Sequence, residues 1–155
     1  METTGRVRLF RSSVVPIDAD SLVVAMLDGW AHAQLAQGFQ RATIARRARS
    51  VQRLVDWSGR HPWHWQQLEA EDFFAELRGV YRLAPSTVRA IQTDIGLFLA
   101  YAADPSYPWS EHCAALLGEP FVPIAPRRMG HRQEGPASPT KRPFSPGELQ
   151  TFFDF

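Results

Sequence analysis

The feature that most constrains the fold is a helical spacing of apolar residues, which recurs in four segments of the sequence. The clearest is LAPSTVRAIQTDIGLFLAYAAD, where apolar residues return every three or four positions after a start signal at Pro85 and Ser86. The positions predicted to face a core are Leu22, Met26, Leu27, Trp30, Ala33 and Leu35, then Ile44, Ala48, Val51, Leu54 and Val55, then Leu68, Phe73, Phe74 and Leu77, and finally Val88, Ile91, Ile95, Phe98, Leu99 and Ala102. Strand signals are almost absent, so the sequence predicts an all-α bundle of four main helices.

The chain divides into four parts by composition. Residues 1–17 form a lead-in without periodicity, and residues 18–119 hold the four helices, with starts near Asp18 and Thr43, and a shorter helical segment capped by Ser110. Residues 120–143 are rich in Pro, Gly, Arg and Ser, which is typical of a linker, here an irregular and basic one. Residues 144–155 contain the capping-box motif SPGE followed by apolar residues, which predicts the first helix of a further domain.

Composition narrows the class of protein. The 155 residues are 45% hydrophobic, enough for a packed core, and no apolar stretch approaches the roughly 20 residues of a membrane span. The single cysteine, Cys113, excludes an internal disulfide framework and fits a reducing cytoplasm. The sequence therefore predicts a cytoplasmic protein with no membrane partner.

Positive charge is concentrated on the second predicted helix. Six arginines and one aspartate lie between residues 38 and 60, although the whole chain carries only +1. The candidate contacts are the stripe of Arg46, Arg49 and Arg53, with Arg47 beside it and with Arg41 and Thr43 at its N-terminal end. Like charges at this spacing repel, so the stripe favours an external polyanion such as DNA, with a solvated face as the alternative. The DNA hypothesis requires that these arginines face outward and are not neutralised by the protein's own carboxylates.

The fourth predicted helix has a second polar face. Its candidates are Ser86, Thr87, Arg89, Gln92 and Thr93. Hydroxyls, an amide and a guanidinium near a helix start suit contacts with phosphates and base edges, although ordinary capping and solvation would also explain them.

No group of residues indicates catalysis. The acidic residues Glu69, Glu71, Asp72 and Glu76 are explained by the start of a helix, where negative charge is favoured. His112 and Cys113 have no second ligand cluster at zinc spacing. The sequence therefore predicts a binding module with no cofactor, no metal and no small-molecule substrate.

Three stretches taken in order, GFQRATIARRARSVQRLVDW, WHWQQLEAEDFFAEL and LAPSTVRAIQTDIGLFLAYAAD, resemble the core-binding domain of tyrosine site-specific recombinases, the phage-integrase family. The stretch KRPFSPGELQTFFDF is similar to the entry into that family's catalytic domain. The resemblance implies that the catalytic arginines, lysine, His-x-x-Arg motif and tyrosine would follow later. None of the five histidines has Arg three positions on. We therefore assign no catalytic residue and expect a DNA-binding fragment rather than an enzyme.

The resemblance also implies where DNA would lie. In that family the second and fourth helices meet the duplex, and Lys141 and Arg142 would lie near phosphates at the end of the linker. The corresponding positions on the two helices are Thr43, Arg46, Arg47, Arg49, Arg53, Ser86, Thr87, Arg89 and Thr93. The implied partners are double-stranded DNA and other recombinase subunits. Two alternatives remain: a stand-alone DNA-binding regulator, and a protein-interaction module that docks through Leu149, Phe152 and Phe153.

Overall fold

The computed structural model describes residues 18–124, and this part of the chain is all-α, without a strand. Its helices are α1 (Ala19–Ala36), α2 (Arg41–Ser58), α3 (Gln67–Gly79), α4 (Pro85–Ala103) and α5 (Trp109–Leu117), and a 3-10 turn at Pro62–His64 joins α2 to α3. The predicted all-α bundle is therefore confirmed. The four main helices are α1 to α4, and α5 is the shorter segment that was expected to follow them.

Local signals account for several helix ends. Asp18 caps α1, since its Oδ1 accepts a hydrogen bond of 2.7 Å from the Ser21 backbone N–H. That bond lowers the pKa of the Asp18 carboxyl from its ordinary value. Gly59 after α2 and Gly118 after α5 have φ angles of 63° and 83°, in the left-handed region that favours glycine.

Two predicted helix starts are displaced by one or two residues. α2 begins at Arg41 rather than near Thr43, after an N-cap at Gln40 whose side chain makes no capping bond. α5 begins at Trp109, so Ser110 lies inside the first turn and is not the cap. Shifts of this size are common at helix ends, where the boundary is defined least sharply.

The core is organised around α4, which packs against all four other helices. Its Val88, Ile95, Phe98 and Leu99 are fully buried. The other large side chains buried with them are Leu22, Met26, Val51, Leu54, Phe73, Phe74 and Leu77. Each such side chain stabilises the fold by about 1.5–3 kcal/mol relative to an exposed one, so this apolar cluster fixes how the helices lie against one another.

Two residues that were predicted to face the core do not. Leu35 is 45% exposed. The last buried residues of α1 are Trp30 and, one turn after it, Gln34. Leu35 directly follows Gln34 and is therefore rotated about 100° away from the buried face. Leu68 is 73% exposed because the buried face of α3 begins at Ala70 and continues through Phe73.

The packed unit continues beyond residue 119, where composition predicted a linker. Phe121 is buried in the core, and Ile124 packs against it partly buried. The remainder of that linker and residues 144–155, with their predicted helix, lie outside the described residues.

Candidate nucleic-acid interface

Three arginines of α2 are exposed and form no ion pair with any residue between 18 and 124. These are Arg41, Arg49 and Arg53. The ion pairs formed within residues 18–124 are Arg46–Asp94, Arg47–Asp94, Arg60–Glu69 and His61–Asp20. The guanidinium of Arg53 lies 5.5 Å from the centroid of the Tyr81 ring. Arg53 also lines a cleft with Asp56 and Glu76, although it forms no ion pair with either.

The other two arginines of α2 are engaged by a buried carboxylate on α4. Asp94 is only 2% exposed, and its Oδ1 lies 3.2 Å from Nη2 of Arg46 and 3.9 Å from Nε of Arg47. Its Oδ2 accepts a hydrogen bond of 2.7 Å from the Ser50 hydroxyl. The expectation that the whole stripe would be free of the protein's own carboxylates is therefore wrong for Arg46 and Arg47.

Arg47 of α2 contacts residues of both α1 and α4. Its side chain is 15% exposed, and Nη1 donates a hydrogen bond of 2.9 Å to Oε1 of Gln34 on α1. Its guanidinium also lies 4.4 Å from the centroid of the Phe39 ring, in the loop before α2. The guanidinium of Arg47 therefore makes its contacts with a carboxylate, an amide and an aromatic ring inside the protein. Arg47 therefore contributes little to any external surface.

Arg46 keeps part of its surface in solvent. Its side chain is 47% exposed although Nη2 is bound to Asp94. Arg46 is thus both anchored to the bundle and accessible, which distinguishes it from the free arginines and from Arg47.

The start of α4 presents most of the predicted polar side chains to solvent. Ser86, Thr87, Arg89 and Thr93 are exposed. Nε of Arg89 lies 3.4 Å from the Pro85 carbonyl oxygen, a weak contact that leaves the guanidinium fork available. Gln92 was placed on the same polar face, and this placement is wrong because the side chain is buried. It follows Val88 by four residues and so falls on the buried side of the helix.

The two helices lie side by side and run in opposite directions. Near the end of α2, Arg53 contacts Tyr81, which comes shortly before α4 begins. Midway, Ser50 and Arg46 meet Asp94. Toward the other end, Arg47 lines a cleft of about 260 Å³ together with the later α4 residues Leu97 and Ala100. The second half of α2 is consequently placed beside the first half of α4. Arg53 belongs to that half of α2 and Arg49 lies at its midpoint, while Arg89 and Thr93 belong to that half of α4. We call the α2–α4 surface the set Arg41, Arg46, Arg49, Arg53, Ser86, Thr87, Arg89 and Thr93.

Charge is segregated among the helices. Residues 18–124 contain nine arginines and twelve acidic residues, so this part of the chain is acidic in total. Five of those arginines lie on α2, where Asp56 is the single acid. α1 carries two aspartates and no basic residue, and α3 carries four acidic residues and Arg78. Positive charge is therefore concentrated on α2, and such a local excess can attract a polyanion even when the net charge is low.

Two of the acidic residues predicted at the start of the third helix have structural roles. Oε2 of Glu69 lies 3.1 Å from Nε of Arg60, and Oε2 of Glu76 accepts a hydrogen bond from the Trp57 indole. Only Glu69 of the four lies in the first turn of α3, so the explanation by helix-start placement was wrong for the others.

The Cys113 thiol and the Tyr101 hydroxyl, two groups that could carry chemistry, belong to buried residues. Burial raises the pKa of the Cys113 thiol to about 11, so the thiol stays protonated at neutral pH. Burial also raises the pKa of Tyr101 to about 12, against the opposing effect of a 2.8 Å hydrogen bond from the Trp109 indole to its hydroxyl. Between residues 18 and 124, no group of three or more His, Cys, Asp or Glu side chains could hold a metal ion.

Asp94 was missed by the sequence reasoning, although a signal for it exists. In IQTDIGLF it stands beside Ile95 and three residues after Ile91, on the apolar side of the helix. A carboxylate at a core-facing position requires a cationic or hydrogen-bonding partner. The sequence could therefore have indicated a buried pairing, although not its partners.

Comparison of the chain with protein-family models, curated proteins and solved structures gave no match. No helix within residues 18–124 is long and apolar enough to cross a membrane. Lys141, Arg142 and the terminal apolar residues Leu149, Phe152 and Phe153 lie outside the described residues.

Proposed function

We propose that this chain binds double-stranded DNA through the α2–α4 surface, in the manner of the core-binding domain of a tyrosine recombinase. The observation that carries the proposal is the presence, on two adjacent helices, of exposed arginines that form no ion pair within the described part of the chain. These guanidinium groups form no ion pair with another residue of 18–124, so each can neutralise a phosphate of a bound duplex.

The proposed contacts differ from the set chosen by sequence alone. Arg47 and Gln92 are omitted, because both are largely buried in the bundle. Thr43 is omitted because it is only partly exposed, and Lys141 and Arg142 because they lie outside the described residues. Arg41, Arg49, Arg53 and Arg89 remain as phosphate contacts, and the hydroxyls of Ser86, Thr87 and Thr93 are suited to phosphate oxygens or base edges. The proposed activity of these 155 residues is DNA binding in the cytoplasm, and no residue among them is assigned to strand cleavage.

The strength of binding should depend steeply on salt. Neutralising about four phosphates gives a log–log slope of affinity against salt concentration of about −3.6. Fluorescence anisotropy with the full 155-residue chain and a labelled 30-base-pair duplex of arbitrary sequence, in KCl between about 50 and 200 mM, measures this slope.

Two variants with the same change in charge separate the surface from general electrostatics. Arg49→Glu should flatten the slope by about one, since each arginine accounts for about one released counterion. The matched control is Arg78→Glu on α3, where the exposed side also carries Glu71 and Asp72 and where Arg78 forms no ion pair. The control should change the slope little.

A response to salt that is flat in the native chain would overturn the proposal. So would an equal loss of binding in the Arg78→Glu control, because binding would then follow total charge rather than the α2–α4 surface. In either case the protein-interaction module would become the better interpretation.

A further inference from the structure

Resting on the proposed function, we infer that Asp94 is a positioning residue that orients Arg46 for reading a base edge, so that Arg46 determines sequence specificity while the free arginines contact phosphates. Arg46 would then read a base while Arg49 and Arg53 contact phosphates, although the three form one stripe in the sequence.

Arg46 differs from its neighbours in how it is held. Its Nη2 is fixed to Asp94 Oδ1 at 3.2 Å, whereas Arg41 and Arg49 form no ion pair. An arginine side chain carries about 2 kcal/mol of rotamer entropy. A guanidinium that is already oriented loses less of that entropy on contact, and geometric precision is what recognition of a base requires.

The anchor itself is rigid. Asp94 is buried on α4 and is held from its other oxygen by the Ser50 hydroxyl at 2.7 Å. The Ser50 hydroxyl also lies 3.3 Å from the backbone oxygen of Arg46, so Ser50 contacts both Asp94 and Arg46. The Asp94 carboxylate is thereby held between α4, which carries it, and Ser50 of α2. Its contact with Nη2 in turn sets the direction of the Arg46 guanidinium.

Charge favours the same division of roles. The negative charge of Asp94 offsets that of Arg46, which makes Arg46 a weaker phosphate contact than the unpaired Arg49 or Arg53. The N–H groups of Arg46 that Asp94 does not use remain available on a side chain that is about half exposed. A guanidinium fork of fixed direction suits the O6 and N7 acceptors of guanine in the major groove.

The test begins with selection of preferred sequences from a randomised duplex library by the native full-length chain. Discrimination is then the ratio of affinities for the selected duplex and a scrambled duplex at one salt concentration. Arg46→Lys keeps the positive charge but removes the fork, and Asp94→Asn keeps the shape but removes the charged anchor. Both should lower discrimination by roughly 5- to 150-fold, the value of one bidentate contact.

Affinity for the scrambled duplex separates this role from a loss of structure. It should stay constant in Arg46→Lys and stay constant or rise in Asp94→Asn, because the latter removes a negative charge from the surface. The matched control is Arg49→Lys, which should leave discrimination unchanged. Circular dichroism verifies that each variant is folded, and if Asp94→Asn is not, Arg46→Lys decides alone.

The outcomes are distinguishable. Discrimination that persists in Arg46→Lys and in folded Asp94→Asn overturns the inference. A native chain that binds duplexes with steep salt dependence but without any sequence preference overturns it too, while the proposed function stands. Absence of salt-dependent binding to any duplex overturns the proposed function itself.

Discussion

Replacing Asp94 by alanine should destabilise the bundle more than any other single change to a charged residue between positions 18 and 124. The Asp94 carboxylate is 2% exposed. It accepts a hydrogen bond from the Ser50 hydroxyl and forms ion pairs with Arg46 and Arg47. Its removal leaves Arg47, which is 15% exposed, without a counter-charge in the interior. Breaking a buried pair in this way costs about 3–5 kcal/mol.

Two effects reduce that cost. Alanine is the better helix former by roughly 0.5 kcal/mol, and the half-exposed Arg46 can turn into solvent. We therefore expect a net loss of about 3 kcal/mol in the free energy of unfolding. With an m-value of about 2 kcal/mol/M, the urea midpoint would fall by about 1.5 M.

The assay is urea unfolding followed by tryptophan fluorescence. Trp30, whose ring centroid lies 5.4 Å from that of Phe98 in the core, should report loss of tertiary packing. The matched control is Asp28→Ala, an exposed aspartate inside α1 that forms no ion pair, and it should change stability by less than about 0.5 kcal/mol. A difference of less than 1 kcal/mol between the two variants would refute the view that Asp94 ties α2 to α4.

Three further outcomes are expected from the fold. Phe98→Ala should cost about 3–5 kcal/mol and lower the thermal midpoint by more than about 10 °C, because the ring is fully buried among the helices; a smaller shift would contradict the assigned core. Gly59→Ala should destabilise by about 1 kcal/mol because its φ is 63°, whereas Gly79→Ala, within α3 and with open space around it, should stabilise slightly in the same thermal assay. Stability should also fall as pH rises from about 9 toward 12. Burial raises the folded-state pKa of Cys113 to about 11 and of Tyr101 to about 12, so their stabilisation is complete below the unfolded pKa values and is lost as pH passes the folded ones. Urea titrations across that range should show Cys113→Ala losing less stability than the native chain.

The helices could be predicted from the sequence because their signals are local. The spacing of Val88, Ile95 and Phe98 determines a buried face whatever the helix packs against. The glycine that ends α2 at Gly59 acts through its own backbone conformation. The predictions failed where a residue stands at the margin of a stripe, as Leu35 does, because the neighbouring helix decides how wide the buried face is.

The candidate interface could be predicted only in part. Composition and spacing placed positive charge on α2 and hydroxyls at the start of α4, and the structure brings these two segments side by side. The same pattern could not separate Arg46 and Arg47 from Arg49 and Arg53, since all four look alike in a helical repeat.

The sequence by itself determined that this protein is a bundle of helices with a basic second helix, because periodicity and charge are properties of neighbouring residues. Only the tertiary structure decided which arginines are free. Arg46 and Asp94 are 48 residues apart and meet because the packing of α2 against α4 brings them together. An interaction between distant residues depends on that packing, which no local pattern records.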